Sequence, residues 1–431
     1  MKFLKNSNVE IGLKLVFIGS VVVVLLIGLW SIRWQLDKRE STYNYAQMDI
    51  FHSAGDEFSL EGPYLDIPVL HTWYTEFTSY DGKTRREKHE ETTLVTIKAN
   101  EARMQAELAS EMRSIGIYSA PVYTGNLALE AGFIVDLEDS EGYEYQLDKA
   151  QLYIVSGKKN LTSQPLFTVN GTAYTADLLS DYAASDNIGK NSTAVGIICP
   201  VQRGSNTLSA AISFRGANKF AVLPAARSSS LSISADWTSP NFTGFDYLPD
   251  SRSLSDTGFT ATWNIPFSGT SAVGFRYVQP VDLYTQLERA FKYGFLFIIV
   301  PFLVLFLFEL FAHVVLHPMH YLLCGAACVI FFLLLLSFSE HLPFLASYLI
   351  GSSAAALLVS FYVASVTGRA RLGATMAGLF ALLYAYLYFS LKSEDYAFLI
   401  GSVFIFLVLA SVMFLTRKVD WNALSRRGSA A

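Results

Sequence analysis

The segment "LHPMHYLLCGAACVIFFLLLLSFSEH" (residues 316–341) places an apolar run between histidines and a glutamate. Roughly 18 or more consecutive apolar residues cross the hydrocarbon core of a bilayer as a helix. The run therefore predicts a transmembrane helix over residues 321–338, with polar groups near both membrane surfaces. His317, Glu340 and His341 are the bracketing residues that need a physical explanation.

Five further apolar runs are long enough to span a membrane: residues 11–30, 294–316, 344–366, 374–391 and 396–416. Hydrophobic residues make up 52% of the 431-residue chain, and they are concentrated in these runs. The pattern predicts a polytopic α-helical membrane protein with about six transmembrane helices. The polar segment between the first two runs is long enough to build a hydrophobic core of its own.

The first apolar run raises the question of a cleaved signal peptide. Its apolar core is longer than that of a normal signal, and the following "LWSIRWQLDKRE" (residues 29–40) contains no small-x-small cleavage site. We therefore expect an uncleaved membrane anchor.

The apolar runs and the basic residues together predict four parts of the chain. They are a cytoplasmic N-terminus with an anchor helix (1–33), a β-rich domain on the opposite side of the membrane (34–290), a five-helix transmembrane bundle (291–416) and a cytoplasmic basic tail (417–431). Lysine and arginine are enriched in cytoplasmic loops. Those assigned to the cytoplasm are Lys2, Lys5, Lys14, Arg369, Arg371, Arg417, Lys418, Arg426 and Arg427. The opposite loops, 339–343 and 392–395, carry only Lys392, so both termini are expected inside.

Charge and cysteine content limit the partners. The formal net charge of −5 gives no support to a nucleic-acid partner, whereas the apolar runs require a lipid bilayer. Cys199 is alone in the outer domain, which therefore has no disulfide framework. Cys324 and Cys328 share one helix face and would suit a metal or redox pair. Small neighbours such as Gly325 favour close helix packing instead.

Alternation of apolar and polar residues predicts half-buried strands in the outer domain. "LSISADW" (231–237) and "FTATWNIPF" (259–267) alternate in this way, and Asn170-Gly171 suits the type I′ turn of a hairpin. "NEARMQAELASEMRS" (100–114) spaces three apolar residues helically and predicts a short helix. We expect a large, mainly antiparallel β domain inserted between transmembrane helices 1 and 2.

Catalytic signatures are missing from the sequence. It contains no G-x-S-x-G elbow, no H-E-x-x-H zinc helix and no G-x-x-x-x-G-K-[ST] phosphate loop. His52, His71 and His89 of the outer domain show no metal-ligand spacing. We therefore predict no enzymatic activity, no cofactor and no metal.

The ionisable residues of the bundle remain the candidate functional residues, because charged groups in lipid are costly. Glu309 is the one acidic residue well inside a predicted span, and His313 lies at i+4 on the same face. His317 precedes Pro318, so the helix is expected to end there.

Three interpretations of these polar groups stay open. Glu309 with His313, His317 and His320 would suit a transition metal, and Glu309 with Glu340 would suit a proton path. The favoured interpretation is structural, with the polar residues marking two hairpin turns at the membrane surfaces.

Several motifs resemble the CreD family of bacterial inner-membrane proteins. "FELFAHVVLHPMHYLLCG", "LLLLSFSEH" and "FLTRKVDW" carry the likeness at the C-terminal end. "EGPYLDIPV", "IGIYSAPVYTGNL", "WTSPNFTGFDYLPDSRSLSDTGFTATW" and "PVDLYTQLERAFKYG" carry it in the outer domain, so it covers nearly the whole chain in the same order.

The resemblance implies a membrane anchor, a large periplasmic β-rich domain and a cluster of C-terminal helices. It also implies a role in envelope integrity, a regulon that responds to carbon source and β-lactams, and colicin tolerance on overproduction. It implies no catalytic residue. Glu309, His317, Glu340 and His341 fall on the family pattern, whereas His313 and His320 depart from it, which weakens the metal interpretation.

The sequence thus predicts a non-enzymatic, multi-pass inner membrane protein that supports envelope integrity through its periplasmic domain. Envelope proteins or cell-wall components are its candidate partners. The alternative is a proton-coupled transporter or export factor that uses Glu309 and Glu340. A third hypothesis is a metal-dependent membrane enzyme.

Overall fold

The computed structural model describes residues 7–78, 80, 84–138, 140–179, 192–266, 272–278, 283–312, 314–392 and 397–417. His313, the basic residues at 2 and 5, and the tail from 418 onward lie outside the described residues. The chain divides into two compact units, Met1–Tyr43 with Val281–Ala431, and Asn44–Pro280. The first unit is helical and the second is built mainly from strands.

The described helices are α1 Ser7–Ala54, α2 Leu283–Lys292, α3 Leu296–Ala312, α4 Pro318–Ser339, α5 Phe344–Thr367, α6 Ala370–Lys392 and α7 Ala397–Thr416. Six segments of the described chain are long and apolar enough to cross a membrane: α1, α2 with α3, α4, α5, α6 and α7. The prediction of about six apolar helices together with a large β domain is therefore confirmed.

Two helices differ in length from the predicted spans. α1 has 48 residues, or about 72 Å at 1.5 Å per residue, more than twice a hydrocarbon core of about 30 Å. The second span is divided between α2 and α3, because Tyr293 and Gly294 donate backbone hydrogen bonds to carbonyls three residues back. Residues 44–54 of α1 belong to the second compact unit.

The boundaries of the central helices follow from local chemistry. His317 has an extended backbone (φ −72°, ψ 143°) and precedes Pro318, the first residue of α4. Proline is favoured at this position because its missing N–H has no helical partner there. Gly368, with φ 63°, ends α5 in the left-handed conformation that glycine adopts without strain. The backbone before Pro318 is extended as expected, but the preceding described helix, α3, ends earlier, at Ala312.

The described strands of the second unit are β1 Phe58–Thr78, β2 Thr84–Lys98, β3 Glu101–Ile115, β4 Tyr118–Val135, β5 Tyr143–Tyr145, β6 Ala150–Gly157, β7 Leu166–Val169, β8 Thr172–Thr175, β9 Asp177–Leu178, β10 Ser192–Cys199, β11 Gly204–Ala217, β12 Lys219–Pro224, β13 Ser228–Ala235, β14 Pro240–Asn241, β15 Ser251–Ser255, β16 Gly258–Ile265 and β17 Val273–Tyr277. They form two sheets. The first has the order β14-β17-β12-β1-β6-β10-β9, with β2 and β5 also paired to β1, and the second has the order β15-β16-β13-β3-β4-β11-β7-β8.

The sequence predicted a mainly antiparallel domain, whereas both sheets are mixed. β1 pairs with β12 in parallel, and β3 pairs with β13 in parallel. The other pairings between described strands are antiparallel. A parallel neighbour requires a long crossover connection, and residue alternation carries no information about such connections.

One hydrophobic core fills the space between the two sheets. Phe58 of the first sheet stacks on Phe214 of the second, with 4.2 Å between ring centroids, and lies 5.3 Å from Phe220. All three rings are buried. The alternating residues of β13 and β16 point into this core as predicted, and Trp263 is among the largest buried side chains.

The predicted hairpin is confirmed, but the predicted short helix is wrong. β7 and β8 flank Asn170 and Gly171, whose φ angles are 50° and 85°, as the type I′ turn requires. Residues 101–115 form strand β3, in which Ala102, Met104, Ala106 and Leu108 are buried. The spacing of Met104, Leu108 and Met112 suited a helix, but pairing with β4 and β13 overrides this local signal.

Ala106→Glu tests strand β3 directly, because Ala106 is buried whereas its neighbour Gln105 is exposed. A carboxylate at position 106 would enter the core unpaired, so we expect the free energy of unfolding to fall by about 3 kcal/mol or more. Gln105→Glu should have little effect. A helix with exposed residues at both positions would make the two variants equal and contradict the strand.

Cys199 supplies the measurement of domain stability. Burial raises the pKa of its thiol to about 11, so the thiol is protonated near neutral pH and buried in the folded domain. Because the thiolate is the reactive form, alkylation of Cys199 should require unfolding. The urea dependence of Cys199 alkylation, located by mass spectrometry, then reports the stability of each variant.

Candidate functional site

The polar residues singled out from the sequence lie at opposite ends of α4. His317 caps its N-terminus and Glu340 its C-terminus, with His341 following. The 22 residues of α4 separate the two ends by about 33 Å at 1.5 Å per residue. Glu309 lies in the last turn of α3, near the N-terminal end of α4. These residues therefore form two separate sites.

Glu309 is held by Lys14 of α1. The Nζ atom of Lys14 lies 2.6 Å from Oε1 of Glu309 and donates a second hydrogen bond to the Leu316 carbonyl at 2.8 Å. The Leu316 N–H donates to the same Glu309 oxygen at 3.0 Å. The three groups thus satisfy one another where the chain leaves α3, and buried backbone groups outside a helix need such partners.

Sequence reasoning missed this contact because it counted Lys14 only as a topological charge. Its partner lies 295 residues further along the chain. A usable signal was present, however: Lys14 is a base inside an apolar run, and Glu309 is an acid inside another. Charges within a membrane segment usually pair with one another.

At the other end of α4, Glu340 faces Arg39 of α1. The Nε atom of Arg39 lies 3.4 Å from Oε1 of Glu340, without hydrogen-bond geometry. The Glu340 side chain is only 9% exposed, so loss of Arg39 would leave a nearly buried carboxylate without this counterion. A third pair joins Arg33 to Glu288 of α2 at 3.7 Å, with both side chains about half exposed.

Between the charged contacts, leucines of α1 pack against glycines of the bundle. A Cβ atom added at Gly325 would lie 2.2 Å from Leu25, and one added at Gly294 would lie 2.6 Å from Leu29. A larger residue at either position would require the leucine to shift. This close approach explains the glycine between Cys324 and Cys328, whose thiols are free and buried.

The histidines near α4 have separate partners. Nδ1 of His317 accepts the Met319 N–H at 3.2 Å, as the cap of α4, and Nδ1 of His320 lies 2.8 Å from the Tyr362 hydroxyl. The two imidazole rings are 6.4 Å apart. In the described parts of the chain, no group of three or more histidine, cysteine, aspartate or glutamate side chains is arranged to hold a metal ion. His313 lies outside those parts.

Glu309→Ala should destabilise the helical unit, because it leaves the Lys14 ammonium without its counterion and the Leu316 N–H without an acceptor. Removing one partner of a buried pair costs on the order of 3 kcal/mol. We expect reduced membrane abundance and a lower unfolding temperature in detergent. The exchange Lys14→Glu with Glu309→Lys should recover part of the loss.

Lys38→Ala is the matched control for this experiment. Lys38 is an exposed lysine of the same helix, whose Nζ lies 3.6 Å from the ring centroid of Trp34. Its removal should cost about 1 kcal/mol or less. Wild-type stability of Glu309→Ala would contradict the assigned role of the Lys14 contact.

Arg39→Ala and Arg33→Ala form a second matched pair of variants. The first leaves the buried Glu340 carboxylate without its cation, whereas the second leaves Glu288, which is 57% exposed, in water. Exposed ion pairs contribute about 0–1 kcal/mol, so Arg33→Ala should be nearly neutral. Thermal unfolding in detergent should show the larger loss for Arg39→Ala, and the reverse order would be inconsistent with the burial of Glu340.

Comparison with known proteins assigns the chain to a family. The family model described as "Inner membrane protein CreD" matches residues 10–272 and 266–422. A relative named inner membrane protein CreD, from Escherichia coli (strain K12), is 28% identical over 437 residues, covering 96% of this chain and 94% of the relative.

Two solved structures show weak similarity. A putative nutrient binding protein from Legionella pneumophila is 9% identical over 42% of this chain and 67% of its own, with a TM-score of 0.25. An M1 zinc metallopeptidase from Deinococcus radiodurans is 9% identical over 39% of this chain and 38% of its own, with a TM-score of 0.19. Likenesses at this level carry no argument, whereas the family model covers nearly the whole sequence. The chain belongs to the CreD family of inner membrane proteins.

Proposed function

We propose that the protein is a non-enzymatic inner membrane protein that supports cell envelope integrity and the response to envelope stress through its β-rich domain. The observation that carries the proposal is that the polar residues of the bundle make structural contacts. Glu309 binds Lys14 and a backbone N–H, Glu340 faces Arg39, and His317 caps a helix. Residues held in this way stabilise a helical anchor and leave function to the other unit.

We further propose that the β-rich domain is periplasmic and that both termini are cytoplasmic. Lys14 donates to the Leu316 carbonyl and Arg369 to the Ala312 carbonyl at 2.7 Å, so both basic side chains cap the turn between α3 and α4. Basic residues favour the cytoplasmic surface. Arg33 and Arg39, on the other side of the first apolar run, are each beside a glutamate.

The outer face of the β3–β4–β13 sheet is the surface that we assign to an envelope partner. A cavity of about 960 Å³ opens there, lined by short polar side chains and by the carboxylates of Glu107 and Asp236. Smaller cavities open along the same sheet beside Arg103 and Glu130. A polar concave face suits an envelope protein or a cell-wall component that presents hydroxyl and amide groups.

The transporter alternative has less support from the geometry. Glu309 and Glu340 lie near opposite ends of α4, and each faces a basic residue of α1. Glu309 already accepts hydrogen bonds from Lys14 and from the Leu316 N–H, so its carboxylate has structural partners. The metal-dependent enzyme is likewise not favoured, because His317 and His320 are engaged with separate partners.

Complementation of a deletion strain tests the proposal. Glu309→Ala, His317→Ala, Glu340→Ala and His341→Ala would be compared for membrane abundance and for rescue of an envelope-stress phenotype. Because the first three side chains have structural partners, we expect rescue to fall only as far as abundance falls. Normal abundance with lost rescue in Glu309→Ala, His317→Ala or Glu340→Ala would indicate transport or chemistry in the bundle.

Glu107→Lys tests the proposed partner surface of the β-rich domain in the same complementation experiment. Glu107 is exposed on the cavity-lining face of β3, so the protein should fold and accumulate normally. Rescue should nevertheless fall, because the charge of the proposed partner surface is reversed. Full rescue by a well-expressed Glu107→Lys protein would remove this face from the proposal.

A further inference from the structure

Strand β2 presents an open edge to solvent. It pairs with β1 from Lys98↔Tyr64 to Thr84↔Thr78, and no other described strand pairs with it. Over residues 84–94, the side chains are exposed on both faces of the strand, apart from the half-buried His89. An open strand edge of this length is a template for pairing with another strand.

The charge order of this edge is self-complementary. Residues 85–91 read Arg-Arg-Glu-Lys-His-Glu-Glu. Antiparallel pairing of two copies, centred on Lys88, places Arg85 opposite Glu91, Arg86 opposite Glu90 and Glu87 opposite His89. Two-fold symmetry repeats each of these pairs. Opposite charges directly across two strands are stabilising, and like charges are destabilising.

Neighbouring registers are less complementary. A shift by one residue in one direction places Glu87 opposite Glu90. A shift in the other direction keeps Glu87 opposite Lys88 but places Arg86 opposite His89. In the centred register, Lys88 faces its own copy, but each Lys88 already forms an ion pair with Glu90 of its own strand. The centred register is therefore the one that places both arginines of each copy opposite glutamates.

The first sheet extends this pattern inward from the edge. Arg86 pairs with Glu76 of β1, with 2.9 Å between Nε and Oε1. In the centred register, Glu90 of the second copy comes next on the same face, which gives a row of alternating charges. Charged residues on an edge strand often prevent pairing by repulsion. Here the charges attract each other in the centred register, which favours pairing of two copies over protection of the edge from pairing.

We propose that β2 is a self-association surface: two copies of the chain join their β2 strands antiparallel, centred on Lys88, into one continuous sheet. Such a contact is isologous, because the same surface is used by both copies.

Disulfide trapping tests the register in the full-length protein in native membranes. Residues directly opposite each other in an antiparallel pair have Cα atoms about 4.5–5.5 Å apart, within reach of a disulfide. In the centred register, the cysteine of Lys88→Cys lies directly opposite the same cysteine of the second copy. The two cysteines of Glu90→Cys would be about 13 Å apart along the strands. The natural cysteines are buried and common to both variants.

We expect mild oxidation to give at least ~tenfold more covalent dimer for Lys88→Cys than for Glu90→Cys, since a disulfide tolerates little separation. Equal yields for the two variants, or no dimer for Lys88→Cys, would overturn the proposal.

Charge reversal tests the interaction without cysteine. Arg85→Glu with Arg86→Glu places glutamates opposite Glu91 and Glu90, so two differently tagged copies should no longer copurify. Adding Glu90→Arg and Glu91→Arg restores complementarity and should restore copurification. Glu76 faces a glutamate at position 86 in both proteins, so the recovery would report contacts between copies. Continued association of the first protein, or failure of the second, would show that the proposed pairing is wrong, provided that Cys199 stays protected from alkylation in both.

Discussion

The ion pair between Lys14 and Glu309 is the contact on which the helical unit depends. A charged side chain in hydrocarbon is costly, so neither residue can be placed in an apolar run without a partner of opposite charge. The 2.6 Å contact brings α1 to the end of α3, and both side chains also satisfy the backbone of Leu316. This one ion pair therefore joins α1, the first helix of the chain, to the turn between α3 and α4.

The remaining contacts of α1 follow from this attachment. Arg39 lies 25 residues after Lys14, or about 37 Å along the helix, which is close to the length of α4. Its position beside Glu340 therefore matches the opposite end of α4. Between the two charged contacts, Leu25 fits over Gly325 because no Cβ atom is present there. The same continuous helix supplies residues 44–54 to the second compact unit, where Ile50 and Ala54 are buried against Val122 and Ala217.

Sequence patterns predicted the elements of the fold that are determined by neighbouring residues. The apolar helices, the alternation in β13 and β16, the Asn170-Gly171 turn and the non-helical backbone before Pro318 each depend on a few neighbouring residues. Strand β3 was missed because Met104, Leu108 and Met112 have helical spacing, whereas pairing with β4 and β13 decides the outcome. The Lys14–Glu309 contact was missed for a related reason: the two residues are 295 positions apart. The parallel pairings in both sheets likewise depend on long-range connections.

The most direct test of the account is whether α1 packs against α4 at the position that the glycines define. A Cβ atom at Gly28 would lie 3.7 Å from Cγ1 of Val329, whereas one at Gly19 would contact nothing within 4 Å. In a protein whose natural cysteines are replaced by alanine, Gly28→Cys with Val329→Cys should form a disulfide in native membranes, because side chains at these two positions are in contact and a disulfide requires such proximity. Gly19→Cys with Val329→Cys should remain reduced. Equal behaviour of the two pairs would contradict a fixed α1, and with it the structural role of Lys14 and Glu309.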